Sequence, residues 1–225
     1  AEPLYRRALA IRRRVYGDQN LWVANAVHDL SEYLSKRGDQ QQAIQLAREY
    51  VNITERAYGS EHSATAFAIS RLAAILFRAN QLDEAEDLFG KSIAMERRLR
   101  GPDHTNVAGQ EVEFSRLLIA LKKLDRADAM LEDAVRIREK IGGPRNASTA
   151  TARGLRGVIL LHKREYAAAD STLRDAIRIL ERTTTAEYPE MRELYGWLAD
   201  VSDARSRPSE AKRYRAIAAA RHRDS

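Results

Sequence analysis

The segment that comes nearest to a ligand-binding motif is Gly90-Lys91-Ser92, which has the residue types that end a phosphate-binding loop. Such a loop also needs a glycine five residues before Gly90 and a strand in front of it, so that backbone N–H groups can surround a phosphate. Position 85 is alanine, and the apolar spacing around it is typical of a helix. We therefore interpret this segment as the middle of a helix with no nucleotide site.

The five histidines are dispersed, and no two of them lie three or four residues apart, as the metal ligands on one helix face would. They are His28, His62, His104, His162 and His222. His62 and His104 occupy equivalent places in GSEH and GPDH, which predicts a turn or capping role. The chain has no cysteine, which excludes disulfides, a thiolate zinc site and a cysteine nucleophile. We expect no metal and no cofactor.

The positions of the carboxylates are those that helix electrostatics favours, and they do not form the pattern of an active site. Asp83, Glu84, Glu86 and Asp87 lie at the start of a predicted helix, where the dipole favours negative charge. No segment has the strand and nucleophile elbow that a Ser-His-Asp site of the hydrolase type requires. We expect that the protein is not an enzyme.

The composition is that of a folded chain with a basic balance. Of the 225 residues, 44% are hydrophobic and 31% are charged, and the net charge of +6 attracts acidic partners. No stretch approaches the roughly 20 apolar residues of a membrane span. The first residues, AEPLYRRALAIRRR, lack the apolar core of a signal peptide. A cytoplasmic location is the expectation.

Alanines and glycines recur at a step of 42 residues along the chain. The alanines are Ala1, Ala43, Ala85, Ala127, Ala169 and Ala211, and the glycines are Gly17, Gly59, Gly101 and Gly143. A fixed period of this size indicates one supersecondary unit that is copied and stacked. Such arrays form extended binding surfaces.

Each copy reads as a helix, a short turn, a second helix and a longer turn. In the second copy, an apolar stripe of helical spacing runs through TAFAISRLAAILFRAN and ends at Asn80, which tolerates a left-handed cap. The second helix, LDEAEDLFGKSIAMERRLR, has acids first and arginines last, and Gly101-Pro102 follows it. Small residues recur where the two helices would cross. In the first helices these are Ser31, Ala73, Ser115, Gly157 and Ala199.

This pattern resembles the tetratricopeptide repeat, in which a small residue of the first helix meets an alanine of the second. The segments AEPLYRRALAIRRRVYG and GPDHTNVA are similar to repeats of the kinesin-light-chain type, and the last two copies resemble the C-terminal tails of bacterial multidomain Ser/Thr kinases. The resemblance implies an all-α fold, a right-handed superhelical solenoid of antiparallel helix pairs with about 11 helices.

We expect one repeat domain over 1–225. Its parts are an unpaired second helix at 1–17, full repeats at 18–59, 60–101, 102–143 and 144–185, and a final repeat with a capping helix at 186–225. The first helix that would precede 1–17 is missing, which is expected of a fragment of a longer protein. The stripe of Leu4, Ala8, Ile11 and Val15 would then be exposed, so self-association through this helix is one alternative.

The resemblance also implies that the first helices line a concave binding face. The candidate residues at the positions opposite the apolar stripe are Asn25, Asp29, Glu32, Phe67, Arg71, Arg78, Glu113, Arg116, Leu155, Val158 and Trp197. In chain order they are acidic, then arginine-rich, then apolar, which favours a peptide with an acidic stretch beside an apolar or aromatic anchor. Two structural alternatives stay open: Arg71 pairs with Glu113, or the last helix covers Trp197.

The expected function is a non-catalytic protein-interaction scaffold, a regulatory or docking part of a larger bacterial signalling protein. The alternative is a nucleic-acid-binding helical repeat that uses Arg-rich surfaces such as Arg12-Arg13-Arg14 and Arg97-Arg98. These arginines lie at the ends of second helices, where the dipole favours cations in any case. Exposed aromatic residues for base stacking are not interleaved with them. Nucleic acid is the disfavoured partner.

Overall fold

A computed structural model describes residues 1–183 and 189–220, and this part of the chain contains eleven α-helices and no strand. The helices are α1 Glu2–Tyr16, α2 Leu21–Arg37, α3 Gln40–Tyr58, α4 Ser63–Arg78, α5 Leu82–Arg100, α6 Thr105–Ala120, α7 Leu124–Gly142, α8 Ala147–His162, α9 Tyr166–Thr183, α10 Pro189–Ala204 and α11 Pro208–Ala220. The all-α prediction is confirmed. His222 lies outside the described residues. The boundary predicted between the repeat at 144–185 and the final repeat at 186–225 also falls outside them, as does the predicted end at 225.

Two sets of turns repeat with the period of the sequence. The second helices α1, α3, α5 and α7 end at glycines with φ between 76° and 91°, where only glycine is unstrained. The first helices end one or two residues before a second left-handed position. This position is Gly38, Asn80, Lys122, Arg164 and Ser206 in successive copies. The left-handed cap predicted at Asn80 is confirmed, with φ of 60°.

The chain forms two compact units, Ala1–Leu117 and Leu118–Ser225. In unit 1 the first helices α2 and α4 contact each other and pack on the second helices α1, α3 and α5. In unit 2 the first helices α8 and α10 pack in the same way on α9 and on their other second-helix neighbours. The alanines of the 42-residue ladder from Ala43 to Ala211 are fully buried at these crossings.

A buried polar cluster holds α4, α5 and α6 together in unit 1. The Glu96 carboxylate is fully buried, and Ser63 Oγ donates to its two oxygens at 2.6 and 2.8 Å. The Asn106 amide also donates to it. These bonds compensate the carboxylate for its lost hydration. In the same unit Ser92 is buried in the middle of α5, where its hydroxyl donates to the Ala66 carbonyl at 2.8 Å. The helical interpretation of Gly90-Lys91-Ser92 is confirmed.

The apolar stripe of α1 is open to solvent, as expected. Leu4 is 71% exposed and Val15 59%. No helix of the described residues combines the length and the low charge that crossing a lipid bilayer requires.

Candidate functional site

The exposed side of α2 and α4, which we call the first-helix face of unit 1, has an ion cluster at its centre. Glu32 of α2 lies between two arginines of α4. Its Oε1 accepts from Arg71 Nη2 at 2.6 Å and Nε at 3.2 Å, and its Oε2 accepts from Arg78 Nη2 at 3.0 Å. The Glu32 side chain is only 16% exposed. The cluster carries one negative and two positive charges.

A second contact fixes Arg78 at the end of α4. Its Nε donates to Ser35 Oγ of α2 at 2.7 Å. Ser35 in turn contacts Gln40 at the start of α3, since its hydroxyl lies 3.1 Å from Gln40 Oε1 and its carbonyl accepts from Gln40 Nε2 at 2.9 Å. The guanidinium is therefore oriented by two groups of α2, one of which is itself held by α3.

Aromatic rings border the ion cluster. The His28 ring stacks on Tyr50 at 5.0 Å between centroids and meets the edge of Phe67 at 6.2 Å. The guanidinium of Arg71 lies 6.0 Å from the centre of the Phe67 ring. Phe67 is 44% exposed, so an apolar surface lies directly beside the Arg71 cation.

The arginines determine the charge states in this cluster. Burial raises the pKa of Glu32, but Arg71 and Arg78 outweigh it, and the pKa lies below its ordinary value. For His28 the two influences act together. Burial and then Arg71 lower the pKa of the imidazole, and Glu32 and Asp29 oppose them. At neutral pH the cluster therefore consists of an ionised Glu32, a neutral His28 and two cationic arginines.

The structure brings together four of the predicted residues of unit 1, namely Glu32, Phe67, Arg71 and Arg78. Arg71 pairs with Glu32, so the alternative pairing with Glu113 is wrong; residues 39 apart are neighbours because α2 and α4 run side by side. Asn25 and Asp29 are exposed on α2. Glu113 and Arg116 lie half-buried on α6.

In unit 2 the prediction needs a correction. Leu155 and Val158 are 2% and 4% exposed, so they belong to the core and not to an accessible face. Both side chains are apolar, and burial removes them from water. Beside them, Gly154 and Gly157 have no side chains, and Leu194 and Leu173 occupy the space that a Cβ would fill. Trp197 is half-buried and packs against the core of this unit.

The sequence did not indicate the role of Ser35, His28 or Tyr50 in this site. A charge-complementary pair on adjacent first helices, such as Glu32 and Arg71, is a signal that would have found part of it. His62 and His104, by contrast, were placed correctly. Their Nδ1 atoms accept from the backbone N–H two residues later, each at 3.1 Å, and cap α4 and α6. In the described residues no three His, Asp or Glu side chains are grouped as metal ligands.

Comparison with protein families agrees with this architecture. A profile of the tetratricopeptide repeat family matches residues 1–56 and 112–182, and another with the same description matches residues 65–106. The chain belongs to the tetratricopeptide repeat family. A search of curated proteins finds no significant relative.

Several solved tetratricopeptide-type structures are similar to this repeat protein. BtubC (BKLC) from P. vanneervenii superposes with a TM-score of 0.76 at 16% identity, over 99% of this chain and 90% of the other. A putative kinesin light chain from Podospora anserina gives 0.65 at 21% identity, over 88% and 94%. The Rap conjugation gene regulator of plasmid pLS20, in complex with the Phr* peptide, gives 0.73 at 14% identity, over 90% and 53%. The likeness to repeats of the kinesin-light-chain type is confirmed at the level of the fold.

Proposed function

We propose that this tetratricopeptide repeat protein is a non-catalytic scaffold that binds a segment of a partner protein on the first-helix face of unit 1. A carboxylate of the segment contacts Arg71 and Arg78, and an apolar or aromatic side chain covers Phe67. The observation that carries the proposal is that two arginines share a single carboxylate beside an exposed aromatic ring.

The arginines have donors left for a ligand. A guanidinium has five N–H donors in a planar fork that matches a carboxylate. Arg71 and Arg78 direct their Nε and Nη2 atoms to Glu32 and Ser35, and among the described residues neither Nη1 has a hydrogen-bond partner. Glu32 balances only one of the two positive charges, and a carboxylate of the ligand would neutralise the other. Because the guanidiniums are already held in place, little side-chain entropy would be lost on binding.

Phe67 supplies an apolar contact next to these donors. Burying its exposed ring would contribute about 25 cal/mol per Å² of apolar surface removed from water. Arginine and aromatic side chains are also the types that carry most of the binding energy at protein interfaces. The partner that fits is a segment with Asp or Glu close to an aliphatic or aromatic residue.

The Rap regulator supports a peptide-binding role, since its fold is similar and its structure contains the Phr* peptide. We further propose that the scaffold is a regulatory or docking part of a larger bacterial signalling protein that works in the cytoplasm. The likeness of the last two repeats to the tails of bacterial Ser/Thr kinases is the basis of this part of the proposal.

A random-peptide selection against the purified protein tests the proposal. Selected peptides are expected to carry an acidic residue near an apolar one, and the double variant Phe67→Ala/Arg78→Gln should weaken their binding about tenfold or more, measured by fluorescence anisotropy. The matched control is Leu99→Ala/Arg48→Gln. It removes an exposed apolar side chain and an ion-paired arginine from second helices. Equal affinity of the two variants would overturn the proposal.

A further inference from the structure

Unit 2 has a cavity of 520 Å³ that arginines surround. It is bounded by the loop between α7 and α8, by α8 and by the C-terminal half of α9. Four of its lining side chains are Arg145, Arg153, Arg178 and Arg182. Only one lining residue, Asp175, carries a negative charge.

The ion pairs that the described residues form around this cavity leave two arginines without a partner. Arg153 pairs with Glu139 and also donates from Nη1 to the Pro144 carbonyl at 3.2 Å. Arg178 pairs with Asp175 at 2.7 Å. Arg145 and Arg182 have no hydrogen-bond or ion-pair partner among the described residues, and both are exposed to solvent.

Equivalent positions in an earlier repeat show where the excess positive charge of the cavity comes from. The positions of Arg145 and Arg182 correspond, two copies earlier, to Glu61 and Arg98, which form an ion pair at 2.7 Å. In unit 2 the acidic member of the pair is replaced by arginine while the basic member stays. In unit 2 two positive charges therefore occupy the positions at which unit 1 has an oppositely charged pair.

In a neighbouring ion pair of these repeats, the acidic and the basic residue have exchanged places from one copy to the next. Arg97 and Glu111 pair at 2.5 Å in unit 1, and one copy later the same two positions are Glu139 and Arg153, which also pair. Here both signs are reversed and the attraction is kept. The single replacement at Arg145 is therefore a local change that adds positive charge to one cavity.

We infer that this cavity binds a phosphate dianion, carried by a phosphorylated side chain of a protein or free in solution. Two uncompensated guanidiniums match its two negative charges, and their forks match its oxygens. Pro144 and Ile179 form an apolar wall for the remainder of a phosphorylated side chain. A nucleic acid fits less well, because no aromatic residue lines the cavity to stack on a base. This site lies in unit 2 and does not depend on the proposed peptide face of unit 1.

Isothermal titration with two probes, a short phosphoserine peptide and inorganic phosphate, tests the inference against the unphosphorylated peptide. The variant Arg145→Glu recreates the Glu–Arg pair of unit 1. Its affinity for both phosphate probes should be about tenfold or more lower than that of the wild type. Its melting temperature should be no lower than that of the wild type, because an attraction between residues 145 and 182 replaces a repulsion. The control is Arg7→Glu, the same charge change at an exposed residue of α1, and it should bind as the wild type does.

The outcomes separate the possible ligands. Tighter binding of the phosphopeptide than of inorganic phosphate identifies a phosphorylated protein as the source, and equal binding identifies free phosphate. The inference fails if the wild type binds neither probe or if Arg145→Glu binds as well as Arg7→Glu. It also fails if a DNA duplex binds more tightly than the phosphopeptide and both variants weaken it equally, since that result indicates diffuse attraction to a polyanion.

Discussion

Arg71 and Leu155 occupy the same position of the repeat, two copies apart, and have opposite surroundings. Arg71 lies on a half-open face, where it pairs with Glu32 and borders the exposed ring of Phe67. Leu155 is buried in the core of unit 2. The repeat therefore determines where a helix position lies along the backbone, while the neighbouring side chains decide whether that position is surface or core.

The helix that carries Leu155 also differs from α4 at two positions beside it. Gly154 and Gly157 of α8 replace Ser70 and Ala73 of α4. A Cβ atom on Gly154 would overlap Leu194 Cδ2 of α10, and one on Gly157 would lie 2.9 Å from Leu173 Cγ of α9. Because these side chains occupy the space that a Cβ would fill, α8 accepts no larger residue at either position without a shift of its neighbours.

The largest effect is expected from truncating the two equivalent residues. Leu155→Ala leaves a cavity in a packed core and should lower the free energy of unfolding by about 2–5 kcal/mol. Arg71→Ala removes one cation of a half-exposed cluster in which Arg78 still pairs with Glu32. The free energy of unfolding should therefore fall by less, about 1 kcal/mol. Urea denaturation followed by circular dichroism measures both. Equal losses would show that the two positions have the same surroundings.

Replacing a helical glycine should change the stability by a smaller amount, which is a loss at one site and a gain at another. Gly157→Ala forces a methyl group against Leu173 and should destabilise unit 2 by about 1–3 kcal/mol. Gly90 is also helical, but a Cβ there meets no atom within 4 Å. Gly90→Ala should therefore stabilise the protein by about 0.5–1 kcal/mol through helix propensity. Thermal melts of the two variants compare them directly, and a destabilising Gly90→Ala would contradict the packing argument.

The smallest effect is the pH dependence that His28 gives to the stability of unit 1. His28 faces Tyr50, Phe67, Arg71, Glu32 and Asp29, and burial together with Arg71 lowers its pKa below 6.5. As the pH falls through 6.5, the unfolded chain takes up a proton that the folded His28 does not, so stability falls. His28→Gln should flatten this part of the stability profile. The control His104→Gln changes a capping histidine, and identical profiles for both variants would exclude His28 as the cause.

The helices and their order could be predicted from the sequence because the repeat places apolar and small residues at fixed helical spacing. The fully buried alanine ladder and the capping roles of His62 and His104 follow from the same regularity. The functional residues were harder to place. Leu155 was expected on the surface because a helical stripe gives a direction for each side chain and not the distance to the next helix.

The sequence alone is enough to predict the period of 42 residues, the all-α fold and the crossing points of the helices, since each of these depends on spacing within one or two copies. Tertiary structure decided which charges meet. Only the packed helices bring Glu32 between Arg71 and Arg78, or place Arg145 and Arg182 around one cavity. Contacts between different helices depend on the distance between them, and side-chain volume at the crossings sets that distance.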